Sequence, residues 1–128
     1  MDPKTKQKTA CIQPRIRIIS KREVAIGPGK AELLALVDRT GSIGDAARRM
    51  RMSYMRAWLL IQTMNASFKR PLVSTARGGP SRGGSELTNT GKTALALYQK
   101  MEAQSIRASQ KPWKKLQQLL REIGRAHV

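Results

Sequence analysis

The 128-residue chain contains one cysteine, one histidine, one phenylalanine and only eight acidic residues. Each shortage removes a class of function. A lone Cys11 excludes an internal disulfide framework and any cysteine-rich zinc site, and it fits a reducing compartment. His127, the only histidine, sits at the C-terminal end of the chain. No set of His, Cys, Asp and Glu has the spacing of a metal centre or a hydrolytic triad, so neither a cofactor nor an enzymatic activity is expected. No apolar run approaches the roughly 18–20 residues that span a bilayer. The opening segment, Met1 to Pro14, is basic with no apolar stretch behind it. It reads as a flexible basic arm over residues 1–13, not as a secretory signal.

What the chain has in excess is positive charge. Twenty-five Lys and Arg against 8 Asp and Glu give +17, and such a surface favours polyanions, nucleic acid before an anionic membrane. The excess is spread out: residues 1–30 hold 8 basic and 2 acidic side chains, 31–76 hold 7 and 3, and 77–128 hold 10 and 3. Charge alone therefore fits a generally basic protein as well as a nucleic-acid binder. The 40% apolar share is enough for one modest core.

The pattern along the chain is strand or hairpin, three helices, a second hairpin and terminal helices. "RIRIISKREVAI" alternates and is rich in β-branched residues, with Ile16, Ile18, Val24 and Ile26 on one side. "GPG" at 27–29 stops it, and Lys30 to Arg39 reads as a helix with Ala31, Leu33, Leu34 and Val37 as its apolar stripe, ended by Gly41. Ser42 is an N-cap for a short helix from Ile43 to about Met50, and Asp45 is placed to reach back toward it as in a capping box. Arg51-Met52-Ser53 is a tight connection, and Ser53 caps a longer helix from Tyr54 to about Lys69. "LVSTA" at 72–76 and "ELT" at 86–88 read as short strands around the glycine-rich "RGGPSRGGS". Thr88 caps a helix from Asn89 to about Ser109. Pro112 marks a break, and "WKKLQQLLREI" is a short amphipathic helix with Leu116, Leu119, Leu120 and Ile123 as its apolar side.

Ile43–Lys69 carries the functional signal. A helix-turn-helix needs small residues where its helices cross, and Ala46 and Ala47 supply them. It needs apolar residues on the inner faces, and Ile43, Met50, Met52, Ala57, Leu60 and Ile61 fit. Its turn must be only three or four residues long. The turn position that is often glycine is Arg51 here, at a cost of about 1 kcal/mol if its backbone is left-handed. An ordinary α-hairpin would share part of this pattern. The +17 charge, the alanine crossing and the arginine-glycine hairpin downstream together favour DNA binding. That hairpin has the composition of a wing, with Arg77, Arg82 and Gly83 as minor-groove contacts, although a plain loop would have the same composition.

The stretches "GSIGDAARRMRMSYMRAWLLIQTMN", "PLVSTARGGPSRGGSELTNTG" and "LALY" resemble the N-terminal DNA-binding domain of ModE-type molybdate-responsive regulators, akin to the LysR-type DNA-binding domain, over about residues 15–105. The resemblance implies a homodimer held by terminal helices and a palindromic operator. It also implies that molybdate sits in separate C-terminal domains, which residues 110–128 cannot form, so no bound molybdate is expected in this chain.

Geometry assigns the individual roles. Ser53, Tyr54, Met55 and Arg56 lie on the first turn of the recognition helix, which enters the major groove by its N-terminal residues. Arg56 is the strongest candidate for a base edge, since a guanidinium binds guanine in bidentate fashion. Ser53 serves as a cap or a phosphate contact, and Tyr54 touches DNA or packs. Arg51, Arg48 and Arg49 are candidates for phosphates; for Arg48 and Arg49 a solvated face is the alternative. Trp58, Leu59, Leu60, Ile61, Met64 and Phe68 are expected in the core or a dimer interface. Leu95, Tyr98, Met101, Ser105 and Ile106 share one broad side of the long helix, which can pack on its own domain or on a second copy.

Three other motifs are set aside. "GPGKA" at 27–31 lacks the upstream glycine and the Ser or Thr of a phosphate loop. "GPSRG" at 79–83 has nucleophile-elbow spacing without the fold or the histidine that motif needs. "NAS" at 65–67 fits a glycosylation pattern inside a helix. The expected fold is mainly α with a small β component: a winged helix-turn-helix over residues 14–110, carrying a C-terminal dimerisation helix, then a short helix over 111–128. The expected function is a cytoplasmic, nucleoid-associated bacterial transcriptional regulator. A basic RNA-associated or architectural protein is the alternative.

Overall fold

A computed structural model describes residues 10–75 and 84–121. The chain divides into two compact units, Arg15–Lys100 and the remainder, Met1–Pro14 with Met101–Val128.

The larger unit opens on a hairpin. β1 (Ile18–Ser20) and β2 (Glu23–Ile26) run antiparallel, with Ser20 opposite Glu23 and an irregularity between Ile18 and Ile19. Lys21 and Arg22 between them have φ of 51° and 69°. A two-residue hairpin turn demands this left-handed backbone, and neither residue is the Asn or Gly that adopts it most cheaply. The expected apolar side holds for Ile26, which is buried, and for Ile16 and Ile18, which pack against the core, but not for Val24, which the irregularity pairs with the exposed Ile19.

α1 (Pro28–Thr40) starts two residues before the expected Lys30. Pro28 occupies the first helical turn, where its missing N–H costs nothing and its fixed φ is already helical. "GPG" therefore opens the helix as well as closing the strand. Leu33, Leu34 and Val37 are fully buried, with Ala31 and Leu36 nearly so. Gly41, at φ 72°, ends α1 by donating its N–H to the Val37 carbonyl.

α2 (Ile43–Arg49) and α3 (Tyr54–Ser67) pack on each other and on α1. Ala46, Ala47 and Ala57 are buried at 0–1% exposure, as a close helix crossing requires. The capping box closes on one side only. Ser42 Oγ accepts from the Asp45 N–H at 3.0 Å, but the Ser42 N–H goes to Thr40 Oγ1 and the Asp45 carboxylate pairs with Arg48. α3 ends at Ser67, two residues short of the expected Lys69.

β3 (Val73–Thr75) and β4 (Ser85–Leu87) pair antiparallel, Val73 opposite Leu87 and Thr75 opposite Ser85. Three ties fix this pair to the helices. The Ser85 N–H donates to the Gly41 carbonyl at the end of α1. Asn65, on α3, accepts from the N–H groups of Leu72 and Val73 at 2.8 and 3.2 Å and donates to the Val73 carbonyl. Thr88 donates its N–H to the Leu72 carbonyl and caps the next helix through Oγ1, which accepts from the Gly91 N–H at 3.0 Å. The "NAS" asparagine is thus a strand clamp, its amide committed to backbone.

α4 (Asn89–Ala108) begins in the larger unit, where Leu95 and Tyr98 are buried and the Tyr98 hydroxyl donates to the Ile16 carbonyl at 2.6 Å. In the smaller unit α4 completes and α5 (Gln110–Gln117) follows. The break falls at Ser109, not at Pro112, which sits in the first turn of α5 where proline is tolerated. Leu119 and Leu120 lie beyond α5, and these two and Leu116 are exposed. Ile123 lies outside the described residues. Among the described residues no helix is long and apolar enough to cross a membrane.

Candidate nucleic-acid interface

The turn between α2 and α3 is built by backbone. The Met52 N–H donates to the Ala47 carbonyl at 3.0 Å and the Arg51 N–H to the Arg48 carbonyl at 3.1 Å. This is the bond pair of a Schellman motif, which requires a left-handed residue after the helix cap. Arg51 fills that place with φ 59°, as its position in the turn predicts. The motif settles the carbonyls at the end of α2 and redirects the chain within three residues. Arg51→Gly should relieve about 1–2 kcal/mol of backbone strain and return about 0.4–1 kcal/mol of it through a freer unfolded chain. Urea denaturation should therefore show unchanged or slightly raised stability; a clear loss would mean that the Arg51 side chain holds the turn.

Ser53 Oγ accepts from the Arg56 N–H at 3.1 Å, so Ser53 is the N-cap of α3. Capping takes up one lone pair of a hydroxyl that is itself exposed. Tyr54, Met55 and Arg56 follow on the first turn, all exposed. The buried stripe of α3 is narrow, formed by Ala57, Ile61 and Met64, with Leu60 and Phe68 partly buried at its edges. Trp58 and Leu59, expected in the core or a dimer interface, are outside the core; they are 37% and 52% exposed. At about 100° per residue they have rotated away from the Ala57 line. The outer side of α3 is therefore an exposed band of Tyr54, Met55, Trp58 and Leu59 with one cation, Arg56.

Arg56 stands between two openings, each of about 330 Å³. One is shared with Ser53, Met55, Leu59 and Thr63 along α3. The other is shared with Arg15, Arg17 and Lys30, from the segment before β1 and the start of α1. The sequence reading did not assign these three cations. The signal was present: Arg15 and Arg17 alternate with Ile16 and Ile18, which turns them outward when the isoleucines turn in. Burial holds the Lys30 ammonium below the usual lysine range, and the charge of Glu23 opposes that shift. Lys30 also donates to the Val24 carbonyl.

β3 and β4 are the two short strands that a wing needs. Arg77, Arg82 and Gly83 lie outside the described residues. Arg48 forms the only ion pair among the described residues, with Asp45, and both stay largely in solvent, so the pair adds little stability. Among those residues no group of three or more His, Cys, Asp and Glu is placed to hold a metal.

No protein-family model matches the chain. It is 38% identical over 86 residues to the molybdenum-pterin-binding protein MopB of Rhodobacter capsulatus, covering 67% of this chain and 32% of MopB. It is 36% identical over 77 residues to the transcriptional regulator ModE of Haemophilus influenzae, covering 60% of this chain and 30% of that protein. The fold matches the CbnR DNA-binding domain, solved as a DNA complex, with a TM-score of 0.55 at 18% identity over 69% of this chain and 95% of that one. The fold is thus a winged helix, and over about two thirds of its length the chain is similar to the ModE and Mop proteins, spanning about a third of the length of the curated relatives it matches.

Proposed function

We propose that the chain is a sequence-specific, duplex-DNA-binding transcriptional regulator of the ModE type, without enzymatic activity, whose α3 enters the major groove by its first turn. One observation carries the reading: a short turn closed by backbone bonds presents Tyr54, Met55 and Arg56 outward at the start of α3 while Ala57, Ile61 and Met64 anchor its inner side. The relatives named as transcriptional regulators and the DNA complex of the fold neighbour support it.

Arg56 reads a guanine edge, and Met55 offers apolar contact to a thymine methyl. Tyr54 contacts a base or a phosphate. Arg51 supplies a cation beside the backbone, and Ser53 orients the first turn. Arg77, Arg82 and Gly83 form the wing contact, on the grounds of their sequence. A homodimer, its apolar contacts drawn from the terminal helices, presents two α3 helices to a palindromic operator with half-sites about one helical turn, or a multiple of it, apart. The working place is the bacterial cytoplasm, at the nucleoid. Molybdate binding is not part of the proposed role.

The division of labour between α3 and wing is testable by titrating duplexes at fixed salt. Arg56→Ala should lose roughly 10- to 100-fold of the preference for a selected duplex over a scrambled one, since a bidentate base contact is worth about 1–3 kcal/mol. Arg82→Ala should weaken both duplexes alike and reduce the slope of log affinity against log salt by about 0.9. Equal losses of discrimination from the two changes would contradict these roles. Tighter binding of RNA than of duplex DNA would favour a general basic RNA-associated protein instead, the reading that the evenly spread charge also permits.

A further inference from the structure

Arg15, Arg17, Lys30 and Arg56 reach one cavity from three places in the chain: the segment before β1, the start of α1 and the first turn of α3. No carboxylate lines it, although the charge of Glu23 acts on Lys30 from outside the lining, and part of its wall is apolar, with Met52 and Leu60. Among the described residues the three guanidiniums form no ion pair and no side-chain hydrogen bond. Gathering four like charges around one opening is unfavourable until an anion enters, and then the same arrangement becomes attractive. The backbone adds to this. Gly27 supplies no side-chain cap to α1, so the N–H groups of Gly29 and Lys30 keep no acceptor within the helix. The partial desolvation of Lys30 is relieved by a neighbouring anion. "GPGK" thus lines an anion-attracting opening, although it lacks the pattern of a nucleotide phosphate loop.

We propose that this cavity is a phosphate site in which Arg15 and Arg17 hold the oxyanion and Lys30 adds charge from the wall, with Arg56 joining them only when the oxyanion is free and no base occupies it. Guanidiniums suit the role because their planar forks match the oxygen spacing of phosphate. The phosphate comes from the backbone of a bound duplex or from a free phosphate-bearing molecule. Arg56 is common to the cavity and to the reading turn. A free phosphate ligand would therefore draw Arg56 from the base edge and act as a competitor of DNA, a consequence that rests on the proposed function, whereas the site itself does not.

The test uses the full chain, inorganic phosphate as the free probe, and two variants. Arg15→Gln with Arg17→Gln removes two exposed cations. Gly29→Glu places a carboxylate at the opening, where an added side chain meets open space, and an acidic residue in the first turn of a helix favours folding. Thermal melts verify that both variants fold. If the source is a free ligand, calorimetry shows phosphate binding to the wild type, weakened at least about tenfold in both variants. If the source is the duplex, phosphate alone does not bind, and both variants weaken every duplex alike, with the double variant's salt slope falling by roughly 0.9 for each lost contact. Either result supports the site. The proposal is overturned if the wild type does not bind phosphate and neither variant alters duplex affinity. Phosphate binding without any duplex binding would reject the DNA-binding function and leave this site standing.

Discussion

Replacing Gly91 by alanine should destabilise the protein by up to about 2 kcal/mol, although the same change in a solvated helix is stabilising. A Cβ at this position would lie 2.1 Å from the Leu72 carbonyl oxygen and 2.9 Å from its carbon. Both are backbone atoms, and neither can rotate away. The Leu72 carbonyl also accepts the Thr88 N–H at 2.9 Å, so retreat would break the tie that seats α4. Alanine gains about 1 kcal/mol in helix propensity over glycine. Overpacking against a fixed wall costs about 1–3 kcal/mol and sometimes more, and here the wall is main chain. For a domain of this size each kcal/mol lowers Tm by roughly 4–8 °C. A melt of Gly91→Ala at or above the wild-type Tm would show that α4 does not approach Leu72 this closely.

Asn65→Ala should cost about 2–4 kcal/mol, from the other side of the same residue. Asn65 Oδ1 accepts from the N–H groups of Leu72 and Val73, which are 0% and 4% exposed. Truncation strands both donors and leaves the Val73 carbonyl without its Asn65 donor, and each stranded buried group costs about 1–3 kcal/mol. Asn65→Asp keeps the acceptor for both N–H groups but sets its second oxygen against the Val73 carbonyl, so it should cost somewhat less than alanine in urea denaturation at neutral pH. Equal costs would mean that the acceptor role is unimportant. Gly91 and Asn65 both act on Leu72. The double variant should therefore be less destabilised than the sum of the two single variants. The functional consequence is direct, because the Asn65 clamp connects the helix proposed to read bases with the strand that leads into the wing.

These two residues show what the sequence could and could not reveal. The apolar periodicity of Leu33, Leu34 and Val37, the caps Ser42, Ser53 and Thr88, and the alanines at the helix crossing are local signals, and each is realised. The left-handed Arg51 was readable because its place in a three-residue turn dictates it. Asn65 was not readable. A polar residue in a helix ordinarily faces water, and only the return of β3 seven residues later makes it a clamp. Gly91 was equally silent, since its role depends on how closely a distant strand approaches. The place of Ser53 to Arg56 at the exposed start of α3 could be found from position alone. For Trp58 and Leu59 the choice between core and dimer interface could not be made, because bulk and hydrophobicity fit both until the width of the buried stripe is known. Arg15, Arg17 and Lys30 were visible as cations but not as neighbours of Arg56, which is a matter of tertiary packing.

Selection from a pool of random duplexes by the purified chain, at about 0.15 M salt to suppress nonspecific phosphate binding, tests most directly whether α3 reads sequence. The predicted result is one enriched palindromic motif, whose enrichment is lost when Arg56 is replaced by alanine and whose half-sites are one helical turn, or a multiple of it, apart. Uniform retention of the duplex pool, or stronger retention of an RNA pool at the same salt, would contradict it.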